Sequence, residues 1–363
     1  MRKLDKNQQI AVECDSNVVV SAGAGAGKTT VLSERYFRLI AEGKAGVENI
    51  LTLTFTRKAA AEMNERIYQR LLNSDNPVAI KGAAEFDKAK ISTLDSFSAL
   101  IVRNGSERFG VSSDFSSDNE AAANIAEEAA LDFLLRKQND KYLQEYIYLY
   151  GFELVYSGMF VPLAVNEFNI SDPVDFAKLL TKQKYELNRA YKENLKGLER
   201  IRIDILNLSP DIGKVMAGNI SSCEKIGDLE EFSEDSGKNT IEDFLQKAEK
   251  IKLKKGTSKH PETQLLNEFI ENWRKLISIT ESVANGIVSF PFLEGMFNLL
   301  EEFQKLFLTR KRISGILTFQ DVSKMAVSIL KEDIDLRNFY KNEFRYIMID
   351  EFQDTNLMQK ELL

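Results

Sequence analysis

The sequence is short of the residues that build metal centres and covalent cross-links. Its 363 residues include two cysteines, Cys14 and Cys223, and one histidine, His260. A Cys/His metal site cannot be assembled from them, and no disulfide framework is implied. Long apolar runs are also missing: none approaches the roughly 20 residues that span a bilayer. The opening Met1-Arg-Lys-Leu-Asp-Lys-Asn-Gln-Gln9 has no apolar segment of the kind a secretory leader requires. A cytoplasmic protein without membrane partners is the expectation. Positive charge is not in excess, with 48 Lys and Arg against 55 Asp and Glu and a net charge of −7. This excludes a protein coated in basic charge. It leaves room for a local basic track that holds nucleic acid. Low-complexity tracts and internal repeats are absent.

What remains is an ordinary soluble composition, 44% apolar, long enough for one large domain or two smaller ones. Two short stretches carry the chemistry. The first is Ala22-Gly-Ala-Gly-Ala-Gly-Lys-Thr29. A loop that cradles phosphates needs small residues so that backbone N–H groups point inward, a lysine for the β/γ charge, and a hydroxyl for magnesium. Gly23, Gly25 and Gly27 supply the first, Lys28 the second and Thr29 the third. The strict pattern has glycine where Ala22 stands. The whole loop from Ala22 through Gly23, Ala24, Gly25, Ala26, Gly27, Lys28 and Thr29 to Thr30 is the candidate nucleotide cradle. A glycine-rich turn with Lys28 merely solvated is the plainer alternative.

The second stretch is Ile349-Asp-Glu-Phe-Gln-Asp-Thr-Asn356. Tyr346 to Ile349 reads as an apolar strand with Asp350 and Glu351 at its carboxyl end, where parallel sheets bind ligands. Asp350 is expected to hold magnesium with Thr29, and Glu351 to orient and deprotonate an attacking water. Phosphoryl transfer asks for little more than such positioning and charge neutralisation. The plainer alternative is an acidic helix start.

Between these stretches the pattern alternates and then changes. Asn17 to Ala22 reads as a buried strand. Gly27 to Ala41 reads as a helix with Leu32, Tyr36 and Leu39 on one face. Ile50 to Phe55 is a strand, Arg57 to Leu72 a helix with Met63, Ile67 and Leu71 inward, Lys90 to Leu94 a strand, and Ser96 to Arg103 a helix. That rhythm predicts a parallel sheet with helical crossovers. From about Gly110 long helical patterns take over, among them Ile125, Ala129, Phe133 and Met296, Leu300, Phe303, Phe307. Strand character returns at Arg345 to Asp350. The expected class is α/β, with one lobe formed by residues 1–110 and 312–363 and a mostly helical insert over 111–311. Part of Gly237 to Pro261, rich in lysine, is expected to be a mobile connection.

On these residues, and on four further segments in the same order, the chain resembles the N-terminal part of a superfamily 1 DNA helicase of the UvrD/Rep/PcrA type. Leu4-Asp5-Lys-Asn-Gln8-Gln-Ile-Ala11 matches the family's Q motif, in which the glutamine, here Gln8, reads adenine. Leu53-Thr-Phe-Thr-Arg-Lys-Ala-Ala-Ala-Glu-Met63 and Ile91-Ser-Thr-Leu-Asp-Ser-Phe97 match segments that touch single-stranded DNA. Leu317-Thr-Phe-Gln-Asp-Val322 and Asp350 to Asn356 complete the set. The length of the insert, and Phe115-Ser-Ser-Asp-Asn-Glu120 before an alanine-rich helix, resemble the AddA/RecB-like recombination helicases.

The resemblance implies an incomplete RecA-like P-loop lobe. It also implies ATP and Mg2+, single-stranded and duplex DNA as partners, and a partner subunit in a helicase–nuclease complex. Phe55, Thr56, Arg57, Ser96 and Phe97 would contact DNA, with core packing as the alternative for the two phenylalanines. Gln353 and Asp354 would link nucleotide to DNA, or else cap a helix starting near Thr355. The sequence departs from the family at three places. Arg57 stands where asparagine is common, Ala26 where serine is common, and Asp95 where histidine is usual. Asp95 is expected to cap the helix that begins at Ser96. Tyr142, Tyr146, Tyr148, Tyr150 and Tyr156 read as core and rim of the insert. Lys247, Lys250, Lys252, Lys254, Lys255 and Lys259 read as a solvated face, with duplex DNA as the other reading.

The implied function is a 3′-to-5′ translocase and helicase in repair or recombination. The second motor lobe, and any nuclease domain or iron–sulfur cluster, are expected beyond Leu363, so the 363 residues alone should turn ATP over poorly. A truncated ATP-binding interaction module is the competing class. A P-loop kinase or GTPase is disfavoured by Asp350-Glu351-Phe-Gln353.

Overall fold

The structure, a computed structural model, describes residues 4–23, 25–229, 231–234 and 238–363. Ala24 and Gly237 lie outside them. The described chain is mostly helical, with a small parallel sheet. In order the elements are α1 (Lys6–Glu13), α2 (Lys28–Ala41), β1 (Ile50–Thr54), α3 (Arg57–Leu72), α4 (Pro77–Ala84), β2 (Lys90–Thr93), α5 (Leu94–Gly105), β3 (Ser116–Ser117), α6 (Asn119–Arg136), α7 (Lys141–Tyr150), α8 (Phe152–Val155) and α9 (Val161–Asn166). There follow α10 (Phe176–Leu206), α11 (Lys214–Ile226), α12 (Glu231–Glu234), α13 (Lys238–Lys250), α14 (Pro261–Val288), α15 (Phe290–Ser314), β4 (Ile316–Leu317), α16 (Phe319–Glu332), α17 (Ile334–Glu343), β5 (Tyr346–Ile349) and α18 (Leu357–Leu362). Among the described residues no single helix is long and apolar enough to cross a membrane.

Contacts divide the chain into two compact units. The first comprises residues 1–131, 161–173 and 306–363, and the second residues 132–160 and 174–305.

In the first unit the sheet order is β2-β1-β5, all parallel, with Leu53 opposite both Ser92 and Ile349. The central strand β1 is buried at every residue. Its Ile-Leu-Thr-Leu-Thr sequence suits a strand covered on both faces. Tyr36, Leu39 and Ile40 of α2 meet Met63, Ile67 and Leu71 of α3 in the core beside the sheet. The four-residue spacing of Met63, Ile67 and Leu71 is what turns α3 inward, as its sequence predicts. Tyr36 is fully buried and donates its hydroxyl to Val47 O at 3.2 Å.

The expected strand at Asn17 to Ala22 does not form. Those residues carry no strand hydrogen bonds, and Val18, Val19 and Val20 are exposed. A strand is stable only when a neighbour pairs its backbone. Among the described residues β5 pairs on one side alone, with β1, and nothing pairs with 17–22. β-Branched composition by itself therefore did not decide the local structure.

The second unit is a helical assembly organised by two long helices, α10 and α14. Tyr191, Leu195 and Leu198 of α10 pack with Leu266, Ile270 and Trp273 of α14. Gly197 permits the approach: a Cβ there would sit 2.8 Å from Leu276 Cδ2. Within the lysine-rich stretch, Lys238 to Lys250 is helical, and 251–260 is irregular but pinned. Asn219 exchanges two hydrogen bonds with the Lys254 backbone, Asn267 exchanges two with Gly256, and Arg274 donates to Leu253 O. Lys255 pairs with Glu271, and the Lys247 ammonium lies 4.7 Å from the Phe232 ring centre.

Candidate nucleotide-binding site

α2 begins at Lys28, so its first, unpaired N–H groups face the glycine-rich loop. Gly25 and Gly27 have φ of +75° and +84°, the left-handed region that glycine enters without strain. Gly27 has a second reason to lack a side chain, because a Cβ there would come within 3.1 Å of Gln8 Nε2. The loop closes on itself through Ala26 N to Gly23 O at 3.3 Å. These are the features of a helix start able to receive a phosphate.

Gln8 reaches this loop because α1 is fastened to α2. Arg35 donates to Ala11 O at 2.9 Å and Arg38 to Val12 O at 2.8 Å, closing the last turn of α1 with side chains of the next helix. Arg38 and Lys44 also bind Asp15, whose carboxyl is held below its usual range by the Lys44 and Arg38 hydrogen bonds. The Gln8 amide is shared. Its Oε1 accepts from Asp5 N at 2.9 Å in a capping box, and its Nε2 donates to Ala26 O at 2.9 Å. One N–H and one lone pair remain.

Lys28 Nζ donates to Ala22 O at 3.3 Å and lies 3.8 Å from Glu351 Oε2. The two sequence motifs, more than three hundred residues apart, thus meet at one lysine. Glu351 follows β5 and takes a left-handed backbone, φ 56°, the one non-glycine positive φ among the described residues. Such a conformation is mildly strained and concentrates at functional turns. Gln353 Nε2 donates to Glu351 Oε2 and, at 3.4 Å, to Asp354 Oδ2. The helix that follows is capped by Asn356, which accepts from Gln359 N at 2.8 Å, and not by Gln353 or Asp354.

Asp350 continues the sheet, its N–H donating to Leu53 O at 2.9 Å. Burial, and then the Glu351 charge, push its carboxyl above the usual aspartate value, while Lys28 pulls it down. With the Thr29 hydroxyl at the start of α2, Asp350 supplies the hard oxygen ligands magnesium takes. The donor chemistry therefore fits that ion.

Two neighbours were not legible in the sequence. Arg66 of α3 reaches across to Thr30 Oγ1 at 3.3 Å; no spacing signals it, since the α2–α3 packing alone brings it there. Gln359 of α18 hydrogen bonds to Asp95, whose carboxyl burial nevertheless raises. Asp95 is not the cap of its helix. α5 starts at Leu94, and the cap is Thr93, whose Oγ1 accepts from Ser96 N at 3.1 Å.

The segments expected at DNA lie at the carboxyl ends of β1 and β2. Phe55 is 46% exposed, and Thr56, Arg57 and Ser96 are exposed. Thr56 also caps α3, accepting from Ala59 N at 3.1 Å. Phe97 differs. It is 6% exposed and packs edge-on against Tyr340 and Phe344, with ring centres 5.6 and 5.8 Å away. Its ring belongs to the core and is not offered to a base.

A family model described as UvrD/REP helicase N-terminal domain matches residues 4–363. Among curated relatives, an ATP-dependent helicase/nuclease subunit from Alkaliphilus oremlandii is 25% identical over 411 residues, covering 100% of this chain and 34% of that protein. The proteins of the same name from Thermoanaerobacter sp. (strain X514) and Clostridium acetobutylicum are 24% and 26% identical, covering 99% and 96% of this chain and 33% and 32% of those proteins. The chain spans about a third of the length of these relatives. With the family match running from Leu4 to the last residue, and the loop and carboxylates meeting at one site, this chain belongs to the UvrD/REP helicase N-terminal domain family.

Proposed function

We propose that this chain is the nucleotide-binding portion of an ATP-driven motor on DNA, moving 3′ to 5′ and serving repair or recombination. The observation that carries the reading is the approach of Lys28 to Glu351 at the start of α2. In this reading the first unit is a RecA-like motor lobe and the second an accessory domain. The loop from Ala22 to Thr30 binds the phosphates through the α2 N-terminus and Lys28. Gln8 has one donor and one acceptor to spare, which matches the two-point edge of adenine.

Thr29 and Asp350 would hold magnesium, which when bound neutralises phosphate charge and fixes the attacked phosphoryl group. Glu351 takes the proton of the attacking water, and Gln353 holds the Glu351 carboxylate in position. Phe55 stacks on an unpaired base, while Thr56, Arg57 and Ser96 meet phosphates. The curated relatives are named as subunits of a helicase/nuclease, which supports a partner protein in a complex of that kind here, and a cytoplasmic location is proposed with it. Among the described residues the cations touching the loop and the helix start are Lys28 and Arg66. These 363 residues alone are therefore proposed to bind nucleotide and turn it over poorly.

The test is ATP hydrolysis by the full-length gene product, with and without single-stranded DNA, beside Lys28→Ala. Stimulation by DNA that disappears in the variant supports the motor. Hydrolysis indifferent to DNA would sink it.

A further inference from the structure

The lysine-rich strap of the second unit is left over once the nucleotide site and the segments expected at single-stranded DNA are accounted for. Between residues 247 and 260 stand six lysines and one acid, Glu249, in a chain whose net charge is −7. Sequence alone leaves a solvated face and a nucleic-acid contact both open. The structure separates them, because a merely solvated run has no need of a fixed backbone.

Burial alternates along the strap. Ile251 is half-buried and Leu253 is 5% exposed, both packed into the core of the second unit, while Lys250, Lys252 and Lys254 are exposed. That is the pattern of an extended segment with one face inward. Its main chain is clamped at three places. Arg274 donates to Leu253 O, Asn219 bonds both the N–H and the C=O of Lys254, and Asn267 bonds both those of Gly256. The clamps hold backbone, so the ammonium groups stay in solvent. Lys255 pairs with Glu271, and Lys247 lies by the Phe232 ring. Among the described residues Lys250, Lys252, Lys254 and Lys259 have no carboxylate partner.

Spacing and chemistry select the occupant. Alternate residues of an extended chain lie about 6.6 Å apart. One strand of a duplex carries a phosphate every ~3.4 Å of axis, so the lysines repeat at close to two phosphate steps. Thr257 and Ser258 add exposed hydroxyls, which bond phosphate oxygens without reading bases. Single strands are gripped largely by stacking on aromatic side chains, and no Phe, Tyr or Trp stands between residues 247 and 260. A lipid surface takes apolar side chains beside the cations, and Ile251 and Leu253 are turned inward. A duplex backbone takes cations alone.

We propose that residues 250–259 are a sequence-independent contact for the phosphate backbone of duplex DNA, carried by Lys250, Lys252, Lys254 and Lys259 on a main chain fixed in advance by Asn219, Asn267 and Arg274. This rests on the reading that the chain belongs to a DNA motor, and adds a duplex grip on the second unit to the single-strand segments of the first. With the backbone already ordered, binding costs mainly lysine side-chain freedom.

The test is fluorescence anisotropy with the full-length protein across a salt series, comparing a mixed-sequence duplex that bears a 3′ single-stranded tail with the tail alone. The variant is Lys250→Gln/Lys252→Gln/Lys254→Gln, beside Lys250→Arg/Lys252→Arg/Lys254→Arg. The three side chains are exposed and Asn219 bonds only main chain, so the fold should be kept. In the glutamine variant, tailed-duplex affinity should fall about tenfold or more at low salt. The slope of log affinity against log salt should be shallower by about 2–3, with tail affinity as in the wild type. The arginine variant should bind the tailed duplex as the wild type does. Wild-type duplex affinity in the glutamine variant would overturn the proposal. So would an equal loss for tail and tailed duplex, or a loss of binding to phosphatidylserine vesicles with duplex affinity kept. Should the glutamine variant melt early, amide exchange in the wild type decides: residues 250–259 must slow with the duplex and not with the tail. Wild-type protein that binds neither tail nor duplex would remove the motor reading itself. Wild-type protein that binds the tail and hydrolyses ATP but gains nothing from the duplex would sink the strap alone.

Discussion

Replacing Lys311 with methionine should destabilise the first unit by about 3–5 kcal/mol at neutral pH. Lys311 and Asp321 are 1% and 0% exposed and 2.5 Å apart. Removing one member of a buried pair leaves a charge without its counter-charge, typically a loss of about 3–5 kcal/mol. Asp321 keeps its other donors in the variant, Thr318 N at 2.9 Å and Thr318 Oγ1 at 2.7 Å. An asparagine oxygen could accept the same bonds, so Lys311→Met/Asp321→Asn should lie within about 1–2 kcal/mol of the native chain. Burial also holds Lys311 below the usual lysine value of 10.5, with Asp321 opposing. In the alkaline window between that lowered value and 10.5 the unfolded chain binds more protons, so stability rises with pH there, a slope the methionine variant should lack. The sole tryptophan, Trp273, belongs to the second unit, so its fluorescence does not report on the first unit by itself. Native-state hydrogen exchange at α16 amides such as Met325 and Ile329 is the right assay. A loss under about 1 kcal/mol at pH 7 would refute the reasoning.

Further outcomes follow from the nucleotide site and from the segments expected at DNA. Gly25→Ala and Gly27→Ala each force an L-residue into the left-handed region, about 1–2 kcal/mol. Only the second also crowds Gln8, so its combined loss in stability and fluorescent-ATP affinity should be larger by about 0.5–1.5 kcal/mol, one hydrogen bond's worth. Asp350, raised by burial and by Glu351, should stay protonated to higher pH than a free aspartate. Magnesium-dependent nucleotide affinity should then fall as pH drops through that raised value. Folding stability should instead decline as pH rises through the same window, because the folded chain holds the proton more tightly, and Asp350→Asn should flatten both curves in pH titrations. Phe97→Ala should lower stability by about 3–5 kcal/mol as a core deletion. Phe55→Ala should leave melting nearly unchanged and weaken single-stranded DNA binding by about 1–3 kcal/mol, read by fluorescence anisotropy in the full-length protein.

Much of this architecture could be read from residues whose local preference and burial agree. β1 and α3 are such cases: an apolar run covered on both faces, which ends one residue earlier than expected, then Met63, Ile67 and Leu71 at helical spacing, in a helix with the expected bounds. The glycine-rich loop before α2 was legible because three alternating glycines ahead of a helical pattern favour a turn, and Gly25 and Gly27 do take positive φ. Val18 to Val20 failed for a non-local reason, since a strand is a property of a pair and its composition cannot supply the neighbour. For Phe97 the sequence leaves core and stacking both open, because its burial depends on Tyr340 and Phe344, far along the chain. Asp95 was taken for a cap where Thr93, two residues earlier, had the better geometry. Arg66 reaches Thr30, and Gln359 reaches Asp95, only through helix packing, and no motif marks them.

The contacts around Lys28 suggest what an arriving nucleotide must do. Lys28 is engaged by Ala22 O and Glu351, Glu351 by Gln353, and Gln8 by Asp5 and Ala26. A phosphate at the α2 N-terminus would draw Lys28 from Glu351 and leave that carboxylate to Gln353 and water. Asp350 N and Leu53 O are bonded at 2.9 Å, and Phe55 follows Leu53 by two residues. A shift of the Asp350–Glu351 turn therefore has one hydrogen bond and two peptide units to travel before it reaches the exposed ring proposed to meet DNA. If that route couples the two ligands, the Asp350 amide should exchange more slowly when nucleotide and single-stranded DNA are both bound than the two separate effects predict. By reciprocity, DNA should tighten nucleotide by the same factor that nucleotide tightens DNA. Gln353→Ala should shrink that common factor, while Phe97→Ala, acting through the core, should leave it unchanged.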